Sequence, residues 1–106
     1  MLNTNSAIQK ILFSSSLNLP IQNLYYSPQT LGADRLASAV AANYIFPNQA
    51  VLKIDFGTCI TFDIVNAENQ YLGGAISPGV LMRFKALHNF TAKLPLIDPL
   101  TYSTFP

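Results

Sequence analysis

Charge is scarce in this chain of 106 residues: Asp, Glu, Lys and Arg make up 10% of it, while half of the residues are hydrophobic. Ordinary soluble domains carry about 25% charged residues, so much of this surface is expected to be covered, by a missing half or by a partner subunit. The six Lys and Arg are scattered singly and the net charge is +1. That leaves no basic stripe for a nucleic-acid groove, and nucleic acid is excluded as a partner. With one cysteine, Cys59, and one histidine, His88, neither an intrachain disulfide nor a Cys/His zinc cluster can be built. Residues 1–16 lack a positive leader followed by an apolar core, and no run reaches the roughly 18 apolar residues of a membrane span. A cytoplasmic protein without a membrane partner is expected. A lone domain of this size buries only about 60% of its unfolded surface, so its stability should be modest.

What is present alternates between helix and strand patterns. Residues 3–13 place Ala7, Ile8, Ile11 and Leu12 at helical spacing, ended by the Ser14–Ser16 run and Pro20. Residues 21–26 read as a short strand, and Pro28 turns the chain. Between Ala33 and Tyr44, Leu36, Val40 and Tyr44 recur every fourth residue beside Ala37 and Ala41, which predicts a helix with that stripe buried, stopped by Pro47. Residues 50–56 read as a mostly buried strand. In the next strand Ile60, Phe62 and Ile64 alternate with Thr61 and Asp63. A polar turn at 66–70 and a third strand over 71–77 complete an antiparallel meander. A second helix over 80–90, with Leu81, Phe84, Leu87 and His88 on one face, should cover the sheet.

Three stretches could carry chemistry. Asp55-Phe56-Gly57-Thr58 puts an aspartate at a strand end and a glycine and threonine in the turn. Glycine permits close backbone approach to a phosphate, the Thr58 hydroxyl and turn amides can donate to its oxygens, and Asp55 can hold a cation. A plain hairpin in which the glycine serves a positive φ is the equally weighted alternative. The Asp-Phe-Gly string also imitates protein kinases, but no His-Arg-Asp loop or Gly-rich loop precedes it. In Gly32-Ala33-Asp34-Arg35, Asp34 could be a helix-start carboxylate or a general base for a substrate hydroxyl, with Arg35 and Gly32 positioning the substrate. Gly73-Gly74 and Pro78-Gly79 suit either tight packing or close ligand approach at a helix start. Cys59 and His88 read as structural residues.

Taken together and in order, Tyr25-x-x-Pro28-x-x-Leu31-Gly32-Ala33-Asp34-Arg35, Asp55-Phe56-Gly57-Thr58-Cys59-Ile60-Thr61, Tyr71 to Gly79 and Thr91-Ala92-Lys93-Leu94-Pro95 closely resemble the type III pantothenate kinases. The resemblance implies an actin-like, sugar-kinase-like (ribonuclease H-like) α/β fold of two halves flanking a nucleotide cleft. Residues 1–47 would end the first half and 48–106 would begin the second. It implies ATP-dependent phosphorylation of pantothenate, the first step of coenzyme A synthesis, with Mg2+ and a monovalent cation, K+ or NH4+, in a homodimer with a shared active site. Asp34 matches the proton acceptor; Tyr25, Gly32, Ala33, Asp34 and Arg35 the pantothenate contacts; Gly57 and Thr58 the ATP contacts; Asp55 the cation ligand. The family's first phosphate loop, Asp-x-Gly-Asn-Thr, and its closing segments have no counterpart here, which implies an internal piece inactive by itself. The alternative is a non-catalytic regulatory or degenerate relative.

Overall fold

The computed structural model describes residues 7–101, in the order β1 (Gln22–Asn23), a 3-10 turn (Pro28–Thr30), α1 (Ala33–Ile45), β2 (Val51–Phe56), β3 (Cys59–Val65), β4 (Gln70–Pro78) and α2 (Val80–Asn89). This is a mixed α/β arrangement. β2, β3 and β4 form the expected antiparallel meander, with Lys53 opposite Asp63, Asp55 opposite Thr61, and Asp63 opposite Gly74. The turn between β3 and β4 is set by Asn66, whose side-chain oxygen accepts the amides of Glu68 and Gln70 at 3.1 and 2.9 Å, while Asn69 takes a positive φ of 58°. β1 adds a parallel edge beside β4, giving the order β1-β4-β3-β2. It is shorter than the strand expected over 21–26, because the Asn23 side chain accepts the Tyr25 amide at 3.0 Å and the chain leaves the sheet there. Residues 7–13 form no helix, contrary to their spacing; residues 3–6 lie outside the described residues.

α1 starts at Gly32, carries Asp34 in its first turn and stops before Pro47. Its buried residues are Arg35, Leu36, Ala39 and Asn43; of the expected stripe Leu36 is buried and Val40 packs against the core, but Tyr44 is 86% exposed and Ala41 is exposed. The helix is rotated by about one residue from the apolar reading, and the cause lies on β3. There Asp63 and Val65 are the buried residues and Ile64 is exposed, so at this end of the strand the aspartate, not the isoleucine, faces α1. Arg35 pairs with Asp63 and draws its own row of α1 onto the sheet. Ile21, Leu36, Ala39, Val65 and Tyr71 close the core around that pair.

Among the described residues nothing covers the opposite face of the sheet. Leu52, Ile54, Phe56, Ile64 and Leu72 are all substantially exposed, and β2, expected to be mostly buried, is an open edge. α2 does not cover the sheet either, since none of its residues is buried. Arg83 instead ties its first turn to the end of β4, donating to the Pro78 carbonyl at 2.9 Å and to the Ser77 hydroxyl at 2.6 Å. The radius of gyration, 18.7 Å, is well above the about 13 Å of a closed domain of this length, as a small core with α2 standing away from it requires. Among the described residues no helix is long and apolar enough to cross a membrane.

Candidate functional site

The β2–β3 turn is two residues, Gly57 and Thr58, between Phe56 and Cys59. Gly57 donates its amide to the Cys59 carbonyl at 2.9 Å and does not lie in the left-handed region. A Cβ placed on it would meet only the Cys59 oxygen, at an ordinary 3.7 Å. Neither backbone conformation nor internal packing therefore calls for glycine here, and the positive-φ hairpin reading fails. What remains is access to this turn from outside the chain. The Thr58 hydroxyl has no intrachain hydrogen bond among the described residues. Cys59, expected in the core, is only half-buried at the start of β3.

The turn faces the start of α2. Gly79 donates its amide to the Thr58 carbonyl at 3.0 Å, and a Cβ on Gly79 would collide with the carbonyl oxygens of Gly57 and Thr58. Gly57, Thr58, Leu81, Met82 and Lys85 line an open depression of about 280 Å³. A glycine turn, a free hydroxyl, the first turns of a helix and a lysine are the parts of an anion site. Lys85 was not legible as a site residue, because only helical phase and the docking of the helix start bring it beside Thr58. His88 is exposed rather than on an apolar face; its Nδ1 donates to the Leu94 carbonyl at 2.8 Å and holds the segment after α2.

Gly32, Ala33 and Asp34 are exposed at the head of α1. No side chain caps this helix, and the Asp34 carboxylate lies back over Gly32, where a Cβ would come within 2.5 Å of its Oδ1. Glycine at 32 thus leaves room for the Asp34 carboxylate above the helix start. Tyr25 is half-buried, its ring 6.4 Å from that of Tyr71, and its Cδ2 would be 2.9 Å from a Cβ on Gly73, which has a φ of 93°.

Arg35 does not share Asp34's exposure. Its Nε and Nη2 donate to Asp63 Oδ1 at 2.9 and 2.6 Å, and Nη2 also donates to the Phe62 carbonyl at 3.2 Å. Tyr71 donates its hydroxyl to the same Oδ1 at 2.7 Å. Lys53 stands 3.6 Å from Asp63 Oδ2 and 3.4 Å from Asp55 Oδ2. Three of the residues singled out in the sequence, Tyr25, Arg35 and Asp55, are therefore joined through three that were not: Asp63, Tyr71 and Lys53. Burial lowers the affinity of the Arg35 guanidinium for its proton, but the Asp63 carboxylate outweighs burial and the pKa is raised overall. Burial pushes the Tyr71 phenol well above the ordinary tyrosine range, and its hydrogen bond to Asp63 adds to this.

Asp55 is the exposed end of the chain of charges, and its side chain is 65% accessible. Among the described residues no three His, Cys, Asp or Glu side chains cluster, so no all-protein metal cage is present. The Asp55 carboxylate, exposed apart from its contact with Lys53, could hold a cation only together with ligand oxygens, a mode familiar for Mg2+ at phosphates.

A family model described as type III pantothenate kinase matches residues 1–105. A protein of Phocaeicola vulgatus named type III pantothenate kinase is 55% identical over 88 residues, which is 83% of this chain and 36% of the relative. Proteins of the same name from Bacteroides fragilis and Porphyromonas gingivalis are 55% and 52% identical, over 78% and 88% of this chain and 34% and 38% of theirs. The chain thus spans about a third of the length of the curated relatives it matches.

Proposed function

The chain belongs to the type III pantothenate kinase family, and we propose that it contributes the substrate-side base and one phosphate loop to an enzyme that phosphorylates pantothenate with ATP. The observation that carries this reading is the Gly57–Thr58 turn, whose glycine is required by no contact among the described residues and which opens beside the α2 start and Lys85. Gly57 and Thr58 take the nucleotide phosphates, with Asp55 beside them for a monovalent cation, K+ or NH4+. Mg2+ bound with ATP would neutralise charge on the phosphates. Asp34 accepts the proton of the substrate hydroxyl, and Tyr25 with Gly32, Ala33 and Asp34 holds pantothenate, while Arg35, committed to Asp63, anchors that segment instead of touching the substrate. Phosphoryl transfer needs chiefly alignment and charge neutralisation, which these groups are suited to supply.

The same reading takes residues 1–47 and 48–106 as parts of the two halves of an actin-like, ribonuclease H-like fold, meeting at the core between α1 and the sheet. The uncovered apolar face of Leu52, Ile54 and Phe56 suits further polypeptide, whether more of a relative-length protein or a second copy in a homodimer acting in the cytoplasm. Nucleic acid is no part of it, given the net charge of +1.

The test is ATP-dependent phosphorylation of pantothenate by the full protein carrying these residues, followed by ADP release. Asp34→Asn should lower kcat by about 100-fold or more, the range of a lost general base, with the KM for ATP nearly unchanged. Equal losses in both would remove the base assignment, and no turnover by the unmodified protein would remove the reading.

A further inference from the structure

Asp63 combines two properties that stability alone does not explain. It is completely buried, and its two carboxylate oxygens are treated unequally. Oδ1 accepts three donors, from Arg35 Nε, Arg35 Nη2 and Tyr71. Oδ2 is buried without a hydrogen-bond partner and faces only the Lys53 ammonium at 3.6 Å. Desolvating a carboxylate and a guanidinium together gains little over an apolar pair of the same volume. A buried pair of this kind instead restricts geometry, since a planar guanidinium held by Nε and Nη2 on Oδ1 and by Nη2 on the Phe62 carbonyl has its orientation set by two acceptors.

That restriction acts on the first turn of α1. Arg35 follows Asp34 directly, so the grip of Asp63 sets both the rotation of the helix about its axis and its height over β3. The observed rotation of α1 away from its apolar stripe is the visible consequence. On the far side, Lys53 is shared between Asp63 and Asp55, which continues the chain of charges to the strand end that leads into the Gly57–Thr58 turn.

We propose that Asp63 is a positioning residue for phosphoryl transfer: by holding Arg35 it fixes the α1 start that presents Asp34, and through Lys53 it keeps that start in register with Asp55. The proposal rests on the assignment of Asp34 as the base. Asp63 touches neither substrate nor nucleotide, and its effect passes through Arg35.

The experiment is a kinetic double-mutant cycle in the full protein, run below the melting temperature of every variant, with Asp34→Asn as a separate arm. Asp63→Asn keeps shape and an acceptor for Arg35 while removing the charge. It should lower kcat at least tenfold and leave the KM for ATP within twofold. In an Arg35→Lys background the same change should cost less than twofold, because the grip is already lost. Loss of kcat in Asp34→Asn together with wild-type kcat in a folded Asp63→Asn overturns the positioning role alone. Unchanged kcat in Asp34→Asn overturns the reading on which it rests. Equal tenfold losses from Asp63→Asn in both backgrounds would also overturn it, since the effect would not pass through Arg35. If Asp63→Asn does not fold, Arg35→Lys decides: a tenfold or greater fall in kcat with the KM for ATP within twofold supports the positioning role, and an unchanged kcat overturns it.

Discussion

Gly79 donates its amide to the carbonyl of Thr58 at 3.0 Å, and this one bond seats the start of α2 on the β2–β3 turn. Gly79→Ala would drive a methyl group into the carbonyl oxygens of Gly57 and Thr58, which are backbone and cannot swing aside. Overpacking of this kind costs about 1–3 kcal/mol. Thermal unfolding should show that loss, and calorimetry with ATP a weakened affinity, because the turn and the helix start part together.

Gly57→Ala should separate binding from folding. A methyl group there meets only the Cys59 oxygen at 3.7 Å, so unfolding free energy should stay within about 0.5 kcal/mol of the parent, as for surface substitutions. Nucleotide affinity should nevertheless fall at least tenfold, because the methyl occupies the space an incoming phosphate needs. Undiminished affinity would show that this turn does not receive the nucleotide.

Gly32→Ala should act on the Asp34 carboxylate. The added carbon would lie 2.5 Å from Asp34 Oδ1, and the carboxylate is the mobile partner, so it moves. Steady-state kinetics should show a lower kcat with little change in the KM for ATP. A variant with parental kcat would mean that the carboxylate works from another rotamer.

Asp63→Ala should be among the most destabilising single changes in the chain. It strands the buried Arg35 guanidinium and removes the acceptor of the Tyr71 hydroxyl. Breaking a buried pair from one side costs about 3–5 kcal/mol, which urea unfolding would register. Arg35→Met combined with Asp63→Leu should recover part of the loss, since an apolar pair has no charge left to desolvate.

Alkaline titration should single out Tyr71. Its pKa is raised in the folded state, so the fold favours the protonated phenol. The associated stability is fully present below the unfolded tyrosine value of about 10 and is lost as pH rises through the folded value. Tyrosinate absorbance should therefore contain a late component that Tyr71→Phe removes. Loss of an early component instead would show that the phenol is not held by Asp63.

Legibility in the sequence differed by element. The meander was readable because Val, Ile and Phe runs bounded by Gly57-Thr58 and Asn66 to Gln70 permit few other local structures. The helix over Ala33–Ile45 was readable from its spacing and from Pro47, but its buried face was not. Residues 7–13 showed the opposite failure: apolar spacing alone does not make a helix, and here Ile8, Ile11 and Leu12 stay exposed in an irregular segment. β2 and α2 read as covered because they are apolar, yet composition does not say whether the cover lies within these residues.

By itself the sequence determined the order of the elements, the Gly57–Thr58 turn, the Asp34 helix start and, through the order of its motifs, the family. These are local or collinear properties, carried by backbone preference and spacing. Only the tertiary structure decided that Arg35 turns inward to Asp63, 28 residues away, that Lys53 stands between two aspartates, that Lys85 lines the depression beside Thr58, and that Gly57 is free of any internal demand. The reason is that a buried charge takes its meaning from its partner. An aspartate alternating with apolar residues in a strand looks like the solvent side of a sheet until a guanidinium from another element is found against it.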